Sequence, residues 1–180
     1  GPQARRRFGL PRRGRTGRSA HIRKQGHARP ARGSDVQSMQ VMFHRMSSED
    51  IYLRFFRRVS ALTYEGAQRL CNVDFEKDVA FVAVVGPREN EEIVGTGAYF
   101  LNPSTNLAEV AYMVVPGWQG SGLGAALQQR LKEFAMDRGV RGFVAELLRA
   151  NKAMLNLAKR LGNIEIKTED DVYHVTLLFA

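Results

Sequence analysis

Between Glu109 and Gly124 the chain reads EVAYMVVPGWQGSGLG: a strand-like run passes straight into a glycine-rich turn and then into a helix. Glu109 to Val115 is rich in β-branched and aromatic residues, which suit a pleated surface. From Leu123 the period changes, with Leu123, Leu127 and Leu131 at helical spacing and Phe134 and Ala135 continuing the stripe. Glycine accepts left-handed backbone and lets a ligand come close. The first turn of a helix leaves N–H groups unpaired, and its dipole adds positive potential. Strand, glycine turn and helix start together make a phosphate cradle. A nucleoside-triphosphate loop would need Gly-Lys-Ser/Thr, and the Lys is missing. A dinucleotide fingerprint needs G-x-G-x-x-G, but the spacing is Gly120-x-Gly122-x-Gly124 and no second mononucleotide half follows. Two readings stay open on these residues alone: a Gln-x-x-Gly-x-Gly cradle built on Gln119, Gly122 and Gly124, or a plain turn whose glycines serve helix packing.

The rest of the chain alternates in the same way. His27 to Ala31 suits a short strand. Ser34-Asp35 offers an N-cap, and Val36, Met39, Phe43 and Met46 follow at helical spacing. Ser47-Ser48 opens a second helix, Glu49 to Val59, and Thr63 to Asn72 suits a further one. Val79 to Val85 is continuously apolar, as in a strand buried on both faces. Ile93 to Leu101 and Leu107 to Val115 are two more strands on short links, which predicts an antiparallel meander. After the helix ending at Gly139 come a strand at Gly142 to Leu148, a helix at Asn151 to Leu161, and strands at Ile164 to Lys167 and Val172 to Phe179. The expectation is one α/β domain, a mixed and mostly antiparallel sheet flanked by helices, in the order β-α-α-β-β-β-α-β-α-β-β.

Charge divides the chain. Residues 1–32 hold ten Arg and one Lys with no acid, a charge of +11; residues 33–180 hold 16 basic and 18 acidic residues, a charge of −2. The basic excess therefore belongs to a tail. Residues 1–25 have few apolar side chains with which to offset ordering entropy, so they are expected to be a disordered extension, with residues 26–180 as the domain. Ten arginines can bind nucleic acid by counterion release. With Phe8 as the one interleaved aromatic, a solvated extension is the plainer reading. The single Cys71 excludes an internal disulfide. His21, His27, His44 and His174 show no metal-ligand spacing, so no metal is expected. No apolar stretch reaches the roughly 18–20 residues of a membrane span, and no secretory signal follows the basic start. The default compartment is the cytoplasm, with no membrane partner.

The Gln119–Gly124 turn between strand and amphipathic helix, the following strand, and the Asn151-headed helix closed by Leu161-Gly162 together resemble the GNAT superfamily of N-acetyltransferases. The resemblance covers about residues 26–180. A narrower likeness runs through Phe43-His44-Arg45, Ser47, Tyr52-Leu53-Arg54-Phe55-Phe56, Val73-Asp74-Phe75 and the apolar strand from Val79. These are similar to the GNAT domain of bacterial protein lysine acetyltransferases, whose usual target is acetyl-CoA synthetase and whose GNAT domain is often fused to an acyl-CoA-synthetase-like region. The resemblance implies that acetyl-CoA is the cosubstrate. Backbone groups of Met113, Val114 and Val115 would pair with its pantetheine arm. N–H groups of Gln119, Gly120, Ser121, Gly122, Leu123 and Gly124 would hold the pyrophosphate, and Asn151 would contact the cofactor. The thioester would lie in a splay between strands 107–115 and 142–148. The chain departs from the pattern where Ala158 stands in place of a general-acid Tyr, Asn163 in place of a Phe and Asp50 in place of a Ser.

Acetyl transfer to an amine needs the neutral amine, and a lysine with a pKa of about 10.4 is neutral in roughly one molecule of a few thousand at pH 7. A general base is worth roughly 10²–10⁴ in rate. A thiol leaves as thiolate with little help, which makes the absence of the Tyr tolerable. Glu109 is the one acid in the strand Leu107 to Val115, with Ala111, Met113 and Val115 on its face. On those grounds alone it is as readily an exposed strand-start acid as a base; the resemblance assigns it the catalytic role. Glu146, His44 and one of Tyr173 and His174 are weaker candidates for the cleft; the position of Glu146 suits a solvated strand end better, and that of His44 a helix-surface or capping histidine. Arg130, Lys159 and Arg160 are candidates for the nucleotide phosphates or for solvated helix faces, Trp118 for packing and Cys71 for the core. The reading reached is an acetyl-CoA-dependent N-acetyltransferase acting on a lysine of a protein, with an acyl-CoA synthetase as the implied target. The alternatives are transfer to a small-molecule amine, or an acyl-CoA-binding sensor without turnover.

Overall fold

A computed structural model describes residues 26–46, 64–160 and 162–179. The expected tail over residues 1–25, the Ser47-Ser48 cap and the Glu49 to Val59 helix lie outside the described residues. Seven strands form one sheet: β1 (His27–Pro30), β2 (Asp78–Val85), β3 (Glu92–Asn102), β4 (Leu107–Val114), β5 (Gly142–Leu148), β6 (Ile164–Glu169) and β7 (Val172–Leu178). The described helices are α1 (Val36–His44), α2 (Tyr64–Cys71), α3 (Leu123–Asp137) and α4 (Lys152–Lys159). They follow the expected order. The sheet runs β1-β2-β3-β4-β5-β7-β6. Every pairing is antiparallel except β4 with β5.

The continuous apolar run predicted for β2 is buried at every residue from Val79 to Val85, because both faces of the sheet are covered. α3 lies across β1 to β4, and α1, with α2 beside it, packs on β3. Gly95 and Gly97 let α3 sit deep: a Cβ on Gly95 would come 3.4 Å from Leu127 Cδ1, and one on Gly97 3.1 Å from Leu131 Cδ1. Gly142 allows β5 to start tight against β7, where a Cβ would overlap the Leu177 carbonyl oxygen at 2.2 Å. α3 stops where its sequence said it would, at Gly139 in left-handed backbone with φ of 72°. No helix among the described residues is long and apolar enough to cross a membrane.

One expected cap is not made. Asp35 occupies the N-cap position of α1, but its side chain caps no α1 N–H. Arg29 of β1 donates to both its carboxylate oxygens at 2.8 Å, and the Arg32 N–H donates to Oδ2 at 2.9 Å. Arg29 also donates to Glu91 at 3.0 and 3.1 Å. Two arginines counted with the basic tail, Arg29 and Arg32, therefore belong to the folded domain, where Asp35 and Glu91 neutralise them.

Candidate active site

The parallel ladder between β4 and β5 has three pairs, Leu107↔Gly142, Ala108↔Phe143 and Glu109↔Val144, and ends there. Beyond it β4 stays paired with β3 as far as Val114, and β5 stays paired with β7 as far as Leu148. The two central strands thus part, and a gap opens in the sheet with Glu109 and Val144 at its apex. Glu109 is half-buried. By strand alternation it shares a face with Ala111 and Met113, and across the ladder with Val144 and Glu146.

The backbone along one side of the gap follows from the ladder. The Val115 N–H donates to Val94 O at 2.9 Å, so Val115, and by alternation Met113, turn their polar groups toward β3. Val114 and Tyr112 turn theirs toward the gap. The Gln119 side-chain amide donates to the Val114 carbonyl at 3.3 Å and ties the turn back to the strand. Pro116, which has no N–H, ends the strand.

At the open end lies the glycine turn. Gly117, Gly120 and Gly122 all have left-handed φ, of 94°, 76° and 91°. No heavy atom lies within 4 Å of where a Cβ would stand on any of the three, so their backbone faces open space. Gly122 is the N-cap of α3. The Ser121 N–H donates to Trp118 O at 3.2 Å and the Leu123 N–H to Ser121 Oγ at 3.4 Å. Among the described residues, no acceptor meets the N–H groups of Gln119, Gly120, Gly122 and Gly124. Unpaired N–H groups at a helix start are what an anion site requires. Asn151 is buried at the head of α4, its N–H donating to Leu148 O at 2.9 Å.

The weaker candidates separate. His174 pairs with Glu146 in the β5–β7 ladder, its Nδ1 3.5 Å from Glu146 Oε1 and its Nε2 3.2 Å from Glu169 Oε2. His174 is therefore on the Glu109 face, and Tyr173 is on the other. Glu146 is half-buried beside this histidine and is not the solvated strand end its sequence position suggests. Arg130 stacks over the Phe81 ring at 5.4 Å to the centroid. Lys159 and Arg160 are exposed. Trp118 packs on the core. Cys71 is buried, and burial pushes its thiol up to about 12, so it is no nucleophile at neutral pH. His44 is exposed on α1. No group of three or more His, Cys, Asp or Glu among the described residues is placed to hold a metal ion. The sequence did not single out Tyr112, which is fully buried on the α3 side of β4; its hydroxyl pKa is raised by that burial.

Comparison with known proteins gives the site a context. The family model described as Acetyltransferase (GNAT) family matches residues 48–162. The chain is 27% identical over 143 residues to Acetyltransferase PA5475 of Pseudomonas aeruginosa, covering 79% of this chain and 77% of that protein. It is 30% identical over 148 residues to Acetyltransferase Pat of Mycolicibacterium smegmatis, covering 79% of this chain but only 42% of Pat. Among solved structures, the GNAT domain of S. lividans PAT superposes with a TM-score of 0.74 at 28% identity, over 84% of this chain and 89% of that one.

Proposed function

The chain belongs to the GNAT acetyltransferase family, and from that premise we propose that it moves an acetyl group from acetyl-CoA to a lysine side chain of a protein, with Glu109 as general base. The family uses acetyl-CoA. The observation that carries the reading is where the β4–β5 ladder stops: at Glu109, the one acid of β4, at the apex of a gap that leads to the glycine cradle. A strand rises about 3.3 Å per residue. The five steps from Glu109 to Val114 therefore set base and cradle end roughly 17 Å apart, a span for an extended arm lying between them. The pyrophosphate sits on the N–H groups of the turn from Gln119 to Gly124. The arm pairs as an added strand with the backbone of Tyr112 and Val114, next to Met113 and Val115, and Asn151 closes the far wall. The lysine amine attacks the thioester carbonyl carbon while Glu109 takes its proton. The C–S bond then breaks, the thiolate leaves, and water protonates it, since Ala158 offers no proton. A protein acceptor is supported by the likeness to Pat, with an acyl-CoA synthetase as the implied target.

Two experiments test this reading. Incubation of the chain with acetyl-CoA and a cell extract, followed by mass spectrometry, should find newly acetylated lysines; acetylation confined to small amines would move the acceptor class. Glu109→Gln should bind acetyl-CoA like the wild type, because the cradle is at the other end of β4. Its turnover near pH 7 should fall roughly 10²–10³-fold and recover as the pH rises and more amine arrives neutral. Wild-type turnover across pH 6–9, under conditions where chemistry limits the rate, would remove Glu109 from the mechanism.

A further inference from the structure

We propose that the enzyme accepts acyl groups up to two carbons longer than acetyl, and that Ala158 and Ala145 set this limit. The proposal rests on the acyl-CoA reading above. A cavity of about 30 Å³ lies between the sheet, α3 and α4, lined among others by Val110, Gln128, Val144, Ala145 and Ala158. Val110 and Ala145 are the first residues after the last β4–β5 pair, Glu109↔Val144. The cavity therefore opens directly off the apex of the gap. Val110 and Ala145 alternate with Glu109 and Val144 along their strands, so the cavity is on the opposite side of the sheet from the Glu109 carboxylate. An acyl carbon at the apex has the base on one side and this space on the other.

Size and chemistry define the occupant. Among the described residues the walls present carbon alone to the cavity, and Gln128 contributes its methylenes. Roughly 10–15 Å³ of such space takes one water-sized group, so the cavity takes two carbons. An apolar cavity has no polar partners to offer a water and prefers an apolar guest. Each methylene buried there should tighten binding about fourfold, so butyryl-CoA should bind on the order of 15-fold tighter than acetyl-CoA. A hexanoyl chain has nowhere to place its last two carbons and gains nothing more. Two alanines keep the space open; a larger side chain at either position fills it.

The test is calorimetry of the full chain with CoA and with acetyl-, propionyl-, butyryl- and hexanoyl-CoA, repeated on Ala158→Leu and Ala145→Val. Wild-type affinity should rise from acetyl to butyryl and then level off. In Ala158→Leu the rise should vanish while free CoA binds within about twofold of wild type. If that variant does not fold, Ala145→Val asks the same question from the facing wall. Equal wild-type affinities for acetyl- and butyryl-CoA, or a rise that persists in a folded variant, would overturn the proposal and leave the acyl-CoA reading standing. A wild-type chain that binds no form of CoA would instead overturn that reading, and this proposal with it.

Discussion

Asp35 shows how one residue's partners decide its role. A Ser-Asp pair before an apolar periodic run reads as a cap, yet Asp35 is buried and its carboxylate is bonded to Arg29 and the Arg32 N–H. Burial pushes its carboxyl up, but the bonds from the Arg29 side chain and the Arg32 backbone outweigh this, and the group titrates below the ordinary carboxylate range. A carboxyl acidified by folding adds stability that is fully present above its unfolded value of about 3.9 and is lost as the pH falls through the lower folded value. Melting temperature followed from pH 7 to pH 2 should therefore drop more steeply below pH 4 in the wild type than in Asp35→Asn. Parallel curves would take this pair out of acid unfolding. At neutral pH, Arg29→Met should cost about 3 kcal/mol, because it leaves Asp35 buried without its guanidinium. The partner that overrides the cap comes from β1, and no rule about caps contains it.

At the scale of elements, patterns that depend on neighbouring residues were readable in advance. The helical stripe of Leu123, Leu127 and Leu131 marks the buried face of α3, and all three are buried. The continuous apolar run of β2 is buried throughout. The turn joining β4 to α3 was readable as glycine-rich; that Gly117, Gly120 and Gly122 all take left-handed φ with open space above them is a property of its folded path. Gly122→Glu tests the cradle. The new side chain has room, so the cost to the fold should be only the backbone strain, about 1–2 kcal/mol. A carboxylate should then stand where an anion is to bind, and acetyl-CoA affinity should be lost. Unchanged affinity in a folded Gly122→Glu protein, measured by calorimetry, would dismiss the cradle.

For the whole molecule, the Arg29–Asp35–Glu91 cluster joins β1 to the segments before α1 and β3. Removing residues 1–25 should therefore leave melting temperature and acetyl-CoA binding unchanged and abolish any salt-dependent nucleic-acid binding. Removing residues 1–32 should lower the melting temperature markedly, since it deletes β1 and the cluster. Equal stability of the two truncations would contradict the placement of the domain edge between the basic run and β1. The split of charge along the chain, the alternation of strands and helices and the glycine turn were all set by the sequence, because each depends on residues close together in it; the residues around Glu109 left base and strand-start acid equally open, and the family resemblance made the choice. The point at which β4 parts from β5, after Glu109 and Val144, the pairing of His174 with Glu146 and the cavity beside Ala158 were decided by the tertiary structure alone. The gap is defined by where a ladder between strands about thirty residues apart stops. That is fixed by how the sheet, α3 and α4 fill space together, which no single segment encodes.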